Sequence, residues 1–178
     1  MKVDMQSYSV ELLTPKDADV LQGLYERCTD YARLMDGAPP SPSAARDEFL
    51  ALPEGTGVED KFMFGLFCDE DLVGLLESVR RYPDEKTWWL GLLLLEPGLR
   101  GRGVGAAFYE TFERFGGEQG LAQTMLSVAE ENVRGLRFWR SLGFEAVRST
   151  EPRSSGGKKH IFTVMRRDVG STFALRKR

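Results

Sequence analysis

The chain has 178 residues, 42% of them apolar, and its 24 basic and 27 acidic side chains leave a net charge of −3. This length suits one domain able to bury about 70% of its unfolded surface. The near balance of charge argues against a nucleic-acid-binding face. Two cysteines, Cys28 and Cys68, are too few for a disulfide framework and lack metal-ligand spacing.

Residues 7–13 read as a first strand. Thr14-Pro15-Lys16-Asp17 is a helix start, with Thr as cap and Pro at the first helical position. The helix is expected to run to about Met35, placing Val20, Leu24, Cys28, Tyr31 and Met35 on one face. A loop over 36–41 leads to a second helix over 41–52. Residues 61–68, 72–82 and 86–95 read as three strands joined by polar turns, an antiparallel meander. A glycine loop and a helix follow, the helix repeating apolar residues at Val104, Phe108, Phe112 and Phe115. Then come a strand over 124–128, a helix over 133–141, and strands over 144–149 and 161–166. Residues 153–159 read as a polar loop, and 170–178 as a flexible basic tail. No stretch approaches the roughly 18–20 apolar residues of a membrane span. The first ten residues show no apolar signal core, so the cytoplasm is the expected compartment.

The segment from Leu92 to Gly105 carries the functional signal. Leu92–Leu95 is apolar, Glu96-Pro97-Gly98 ends it, and Arg100-Gly-Arg-Gly-Val-Gly105 precedes the helix. A glycine-rich turn at a helix N-terminus aims several backbone N–H groups at one point, where the helix dipole adds positive charge. Arg100 and Arg102 add charge-assisted donors suited to phosphate oxygens. The absence of G-K-[ST] argues against a nucleoside-triphosphate P-loop. Gly101-x-Gly103-x-x-Ala106, with Glu130 as ribose-binding acid, keeps a dinucleotide site open; Glu96, Pro97 and Gly98 separate those glycines from the strand end that such a site requires.

Arg100, Gly103 and Gly105 form R-x-x-G-x-G, preceded by Leu95-Glu96-Pro97. This pattern resembles the pyrophosphate-binding motif of the GNAT superfamily of acetyl-CoA-dependent N-acetyltransferases. Roughly thirty residues on, Asn132-Val-Arg-Gly-Leu-Arg-Phe138-Trp139-Arg-Ser-Leu-Gly143-Phe144 resembles the family's N-x-x-A-x-x-F-Y-x-x-x-G-F segment, with Gly135 for the usual Ala and Trp139 for the usual Tyr. The resemblance covers residues 88–147. It implies a mixed α/β fold of order β-α-α-β-β-β-α-β-α-β-β over a single domain, with central strands that splay to admit the pantetheine arm. It implies acetyl-CoA as cosubstrate, with no metal. It implies a cofactor site built from Leu93, Leu94, Leu95, Arg100, Gly101, Arg102, Gly103, Val104, Gly105, Asn132 and Trp139. The expected partner is a small-molecule amine, with no nucleic acid or membrane; a homodimer is left open. A non-catalytic acyl-CoA-binding module and a protein N-acetyltransferase are the alternatives.

The chemistry sets a demand. At pH 7 only about 1 in 2,500 molecules of an alkyl amine with a pKa near 10.4 is neutral, a cost of about 4.6 kcal/mol. A base is therefore needed, and strand 86–95 has no carboxylate or histidine in its apolar stretch. Glu77, within the otherwise apolar LVGLLESV, is the nearest candidate, because burial there would raise its pKa towards that of a useful base. It could instead be a strand-end carboxylate paired with Arg80 or Arg81, or face solvent, with a water chain carrying the proton. Trp139 donates one N–H but cannot act as an acid. Asn132 fits a helix cap and a cofactor contact. Arg134 and Arg137 share a helix face that could reach the nucleotide 3′-phosphate. Tyr25, Tyr31, Tyr82, Trp88 and Trp89, with Asp30 and Asp36, could receive a cationic amine. His160, the only histidine, is expected at the surface.

Overall fold

The computed structural model describes residues 7–170. Apart from Gly170, the expected basic tail lies outside them. Seven strands form one mixed sheet in the order β1-β2-β3-β4-β5-β9-β6: β1 (Tyr8–Leu12), β2 (Lys61–Cys68), β3 (Asp71–Arg80), β4 (Thr87–Leu95), β5 (Gln123–Ala129), β6 (Glu145–Ser149) and β9 (Phe162–Asp168). The meander β2-β3-β4 is antiparallel, as its polar turns require. β3 is buried along nearly its whole length because helices cover both faces of the sheet.

On one face pack α1 (Ala18–Arg27), α2 (Thr29–Asp36) and α3 (Ala44–Leu50), around Leu21, Leu24, Met63, Leu72, Leu75 and Leu94. On the other pack α4 (Val104–Glu118) and α5 (Val133–Ser141), over Phe64, Leu76, Trp88, Leu126 and Met165. α4 buries Val104, Phe108 and Phe112 on the face the sequence pattern marks. Phe62, Trp88, Phe112 and Phe115 pack their rings together beneath it.

Two expected elements need correcting. The helix expected to reach Met35 breaks at Cys28 (φ −107°, ψ 34°), which caps both halves. Tertiary ion pairs flank the break: Arg27 holds Glu96, and Asp30 holds Arg100. Helical periodicity continues across the break, so the pattern alone does not disclose it. Second, the polar loop over 153–159 is a hairpin of β7 (Arg153–Ser155) and β8 (Lys158–His160). It docks by hydrogen bonds rather than apolar burial, which is why its composition reads as a loop. Ser155 Oγ donates to Asp36 Oδ1 at 2.7 Å, and Lys158 Nζ donates to the Arg33 and Leu34 carbonyls at 2.9 and 3.1 Å. A lysine on the last carbonyls of a helix is a favourable C-terminal arrangement.

His160 is not a surface residue. Its side chain is 3% exposed, with Nε2 2.7 Å from the Met35 carbonyl and Nδ1 3.1 Å from Glu131 Oε2. Both ring nitrogens face acceptors, and only imidazolium donates from both. The Met35 carbonyl, followed by the Glu131 carboxylate, therefore raises its pKa. A raised folded-state pKa adds stability that is complete below about pH 6.5 and is lost as pH climbs through the folded value. The urea-unfolding free energy of wild type should thus fall between pH 6 and 8 relative to that of His160→Gln. Parallel pH profiles for the two proteins would remove His160 from this role.

Candidate active site

β3 and β4 are out of step at one place. Glu77 pairs with Leu92 and Ser78 with Leu90, so Gly91 is an extra residue in β4. Such a bulge bends its strand and increases its twist. At the same point β4 loses its other neighbour: β5 pairs with Thr87–Leu90 and no further, while continuing along β9 to Ala129. The two parallel strands therefore diverge after Leu90.

The glycine at the bulge makes room for a carboxylate. A Cβ on Gly91 would lie 2.1 Å from Glu77 Oε2. Glu77 is 5% exposed, on the sheet face covered by α1 and α3. Burial raises its pKa, and the opposing pull of Lys61 and the Gly91 backbone leaves it at about 7. Lys61 Nζ is 3.4 Å from Glu77 Oε1. Arg80 and Arg81, the partners weighed for it from sequence, instead hold Asp60 at 3.0 and 2.7 Å.

The divergence opens a cleft of about 780 Å³. Leu90–Leu95 form one wall and Val128, Asn132, Phe138 and Trp139 the other; Arg100, Gly101, Gly103 and Gly105 close one end. Gly101 (φ 73°) and Gly103 (φ 86°) occupy the left-handed region that other residues adopt at a cost, and Gly103 caps α4. Val104 is buried as the first residue of that helix. A Cβ on Gly105 would press on Leu95 and Phe138 at 3.3 Å, so its lack of a side chain lets α4 approach β4 and α5.

The structure distributes the other sequence candidates unevenly. Arg100 lines the cleft, but its guanidinium is engaged by both Asp30 oxygens and donates from Nε to the Leu95 carbonyl at 2.8 Å. Arg102 is exposed, 3.4 Å from the Gly98 carbonyl, and does not line the cleft. Arg134 and Arg137 do. Asn132 caps α5, its Oδ1 accepting from the Gly135 amide at 2.9 Å, while also lining the cleft. Gly135 has a reason to depart from Ala: a Cβ there would meet the Asn132 amide at 2.7 Å. Trp139 is mostly core, edge-on to Tyr109 and Phe144, with one side on the cleft.

A second cavity of about 380 Å³ adjoins the first, and Tyr31, Leu92 and Leu94 line both. Tyr25, Asp36, Pro39, Pro40 and Glu48 complete much of its wall. Burial, with Glu48 and Asp36 nearby, pushes the Tyr31 phenol up to about 12, so it stays a neutral hydrogen-bond donor. Of the aromatic residues expected here, Trp88 is core beneath α4, and Tyr82 and Trp89 pack on each other; none of the three lines either cavity. Asp30 is likewise withdrawn, held by Arg100.

Sequence reasoning missed Glu48 and Lys61. Lys61 opens β2, where a charge reads as a solvated strand end, yet its side chain is 6% exposed. The hairpin register discloses it: Met63 pairs with Glu77, and Lys61, two residues earlier, shares that face. Glu48 lies one helical turn beyond Ala44 on α3, and both line the second cavity.

The "Acetyltransferase (GNAT) family" model matches residues 20–144. The chain belongs to the GNAT family of acetyltransferases. The architecture agrees with solved members of that fold. An acetyltransferase from Thermus thermophilus superposes with TM-score 0.72 at 24% identity, covering 93% of this chain and 99% of the other. The ribosomal-protein-S18-alanine N-acetyltransferase of Escherichia coli gives 0.69 at 15% identity, covering 91% and 94%. The PaiA N-acetyltransferase of Thermoplasma acidophilum, solved in complex with coenzyme A, gives 0.63 at 19% identity, covering 92% and 99%. No curated protein matches the chain in sequence.

The cap at Asn132 is separable from any ligand role. Asn132→Ala should lower the unfolding free energy by about 1 kcal/mol, the usual worth of a cap. Urea unfolding without ligand measures this, and an unchanged value would show that the side chain is not needed to start α5.

Proposed function

We propose that the protein transfers an acetyl group from acetyl-CoA to the primary amine of a small molecule by direct attack. The junction at Tyr31, Leu92 and Leu94 carries this reading, because it joins two cavities of opposite electrical character. The larger is edged by Arg100, Arg134 and Arg137 and by a helix N-terminus, which suits phosphate. The smaller is edged by Asp36, Glu48 and tyrosine rings, which suits an ammonium group. Its volume of about 380 Å³ favours a small acceptor.

Acetyl-CoA supplies the acetyl thioester. The residues present fit it. The backbone of Gly101, Gly103, Val104 and Gly105, with Arg100, is the proposed pyrophosphate cradle, and Arg102 adds charge from outside. Past Leu90 the β4 edge has no β5 neighbour, so backbone groups of Leu93 and the Leu95 amide are available to amides of an extended arm. Leu94 lines the junction of the two cavities, and the Leu95 carbonyl is already held by Arg100. Asn132 and Trp139 form the opposite wall. To engage phosphate, Arg100 must exchange at least part of its hold on Asp30.

Glu77 is the proposed base. Its pKa of about 7 makes it half-ionised near neutrality, where a base combines availability with proton affinity. Glu77 takes one proton from the acceptor's ammonium; the neutral nitrogen then bonds to the carbonyl carbon, the carbon–sulfur pair leaves on sulfur, and the excess proton on the new amide nitrogen passes to water. A thiolate whose acid has a pKa near 8.5 leaves without a proton donor, which fits Trp139 where relatives carry tyrosine. Glu77 sits behind Gly91 rather than in either cavity wall, so the proton crosses through a bridging water.

Thiol release from acetyl-CoA with a panel of small primary amines and an N-terminal alanine peptide tests this. Turnover favouring the small amines is expected. Preference for the peptide would make the protein a protein N-acetyltransferase, and CoA binding with no turnover would make it a sensor. Gly103→Val should abolish CoA binding in calorimetry while the protein remains folded, since a valine at φ 86° is strained and obstructs the amides. Unchanged affinity would sink the pyrophosphate assignment, and tight NADH binding instead would revive the dinucleotide site. Glu77→Gln should lower kcat/KM by about 10²–10⁴ with CoA affinity retained, and its residual rate should rise with pH. Wild-type kinetics across pH 6–9 would leave a water chain as the base.

A further inference from the structure

The proposed chemistry leaves the buried charge of Lys61 unused. Lys61 Nζ donates to the Ala51 carbonyl at 2.7 Å and lies 3.4 Å from both Glu77 Oε1 and Glu48 Oε1. Three acceptors thus surround its three protons. Tyr25 donates to the other oxygen of Glu48 at 3.5 Å. Glu48 lines the second cavity and Glu77 does not. A single ammonium therefore joins a carboxylate on the cavity wall to a carboxylate behind the β4 bulge.

We propose that Lys61 is a positioning residue for acetyl transfer, holding Glu77 against Gly91 with its ionised form favoured and drawing Glu48 to the wall of the acceptor cavity. This rests on Glu77 serving as the base. The groups around it come from four other elements: Glu77 on β3, Glu48 on α3, Tyr25 on α1 and the Gly91 backbone on β4, with Tyr31 of α2 across the cavity. Arg80 and Arg81 are committed to Asp60, so neither substitutes for the lysine. Burial raises the Glu77 pKa, and Glu48 adds to that tendency. Lys61 opposes both. Its salt bridge to Glu48 also leaves that carboxylate's second oxygen to Tyr25 and the cavity, where an acceptor's ammonium would arrive.

The sign of each substitution is fixed by charge. Lys61→Met removes a cation beside Glu77, so the acid limb of kcat/KM should move up by about one to three pH units, with a correspondingly slower rate at pH 7. Lys61→Arg retains the charge and should keep the limb near that of wild type. Glu48→Gln removes a neighbouring anion and should move the limb down, while raising KM for cationic amines more than it lowers kcat.

The pH–rate profile with the best amine of the panel reads these shifts. A ¹³C NMR titration of glutamate-labelled protein, its Glu77 resonance assigned by loss in Glu77→Gln, reads them without an acceptor. A merely structural lysine would lower thermal stability in Lys61→Met and leave both titrations in place, which would overturn the proposal. If Lys61→Met does not fold, the opposite shift in Glu48→Gln and the retained limb in Lys61→Arg carry the test, and a Glu48→Gln titration matching wild type overturns it. An acid limb that survives in Glu77→Gln would instead refute Glu77 as base, whatever Lys61 does.

Discussion

The fold depends on one irregularity, the extra residue at Gly91. A sheet whose strands pair along their full length has no room between them for a ligand. Here β4 takes an additional residue against β3, and from that point β5 no longer follows it. The bulge needs a residue without a side chain because the Glu77 carboxylate occupies the place of its Cβ. Bulge, divergence and buried carboxylate thus meet at one position. The cleft between the strands, the glycine loop at its end and the second cavity at its side are all arranged from there.

A division of charge is laid over that geometry. Basic side chains edge the cleft near the α4 N-terminus, and acidic ones edge the smaller cavity beneath α2 and α3. The two sides are tied together by Arg27 with Glu96 and Asp30 with Arg100, which bind α1 and α2 to the end of β4 and the loop beyond it. Asp30 holds Arg100 much as a phosphate would, with both oxygens on the guanidinium. The loop arginine is thereby oriented before any ligand arrives, and its unpaired charge is not left in a half-buried site.

Much of this was legible in the sequence where the physics is local. The meander follows from alternation and polar turns, α4 from its apolar period, and the loop from glycines placed where backbone must turn or approach closely. Thr14 behaves as the first turn predicts: its amide and hydroxyl both donate to Asp17, at 2.7 and 2.9 Å. Glu77 stood out because a carboxylate in an apolar strand must find a partner. What escaped was non-local. Lys61 and Glu48 are ordinary charges until β2 and α3 fold over β3. Nothing near Cys28 in the chain marks the helix break, whose ion pairs reach residues some seventy positions away. His160 looked exposed because the carbonyl it meets belongs to a helix end 125 residues earlier.

That last contact bears on how the molecule assembles. α2 has no fully buried residue of its own. It is fixed by Asp30 to Arg100, Asp36 to Ser155 and Met35 to His160, pairs separated by 70, 119 and 125 positions. Joining such distant segments carries the entropy cost of closing long loops, a cost that rises only slowly with length. The β7–β8 hairpin reaches back to the end of α2 and holds Asp36, a residue of the second cavity's wall. A chain stopped after β6 would lack β9 as well as this hairpin, leaving β6 unpaired and β5 with only its short pairing to β4.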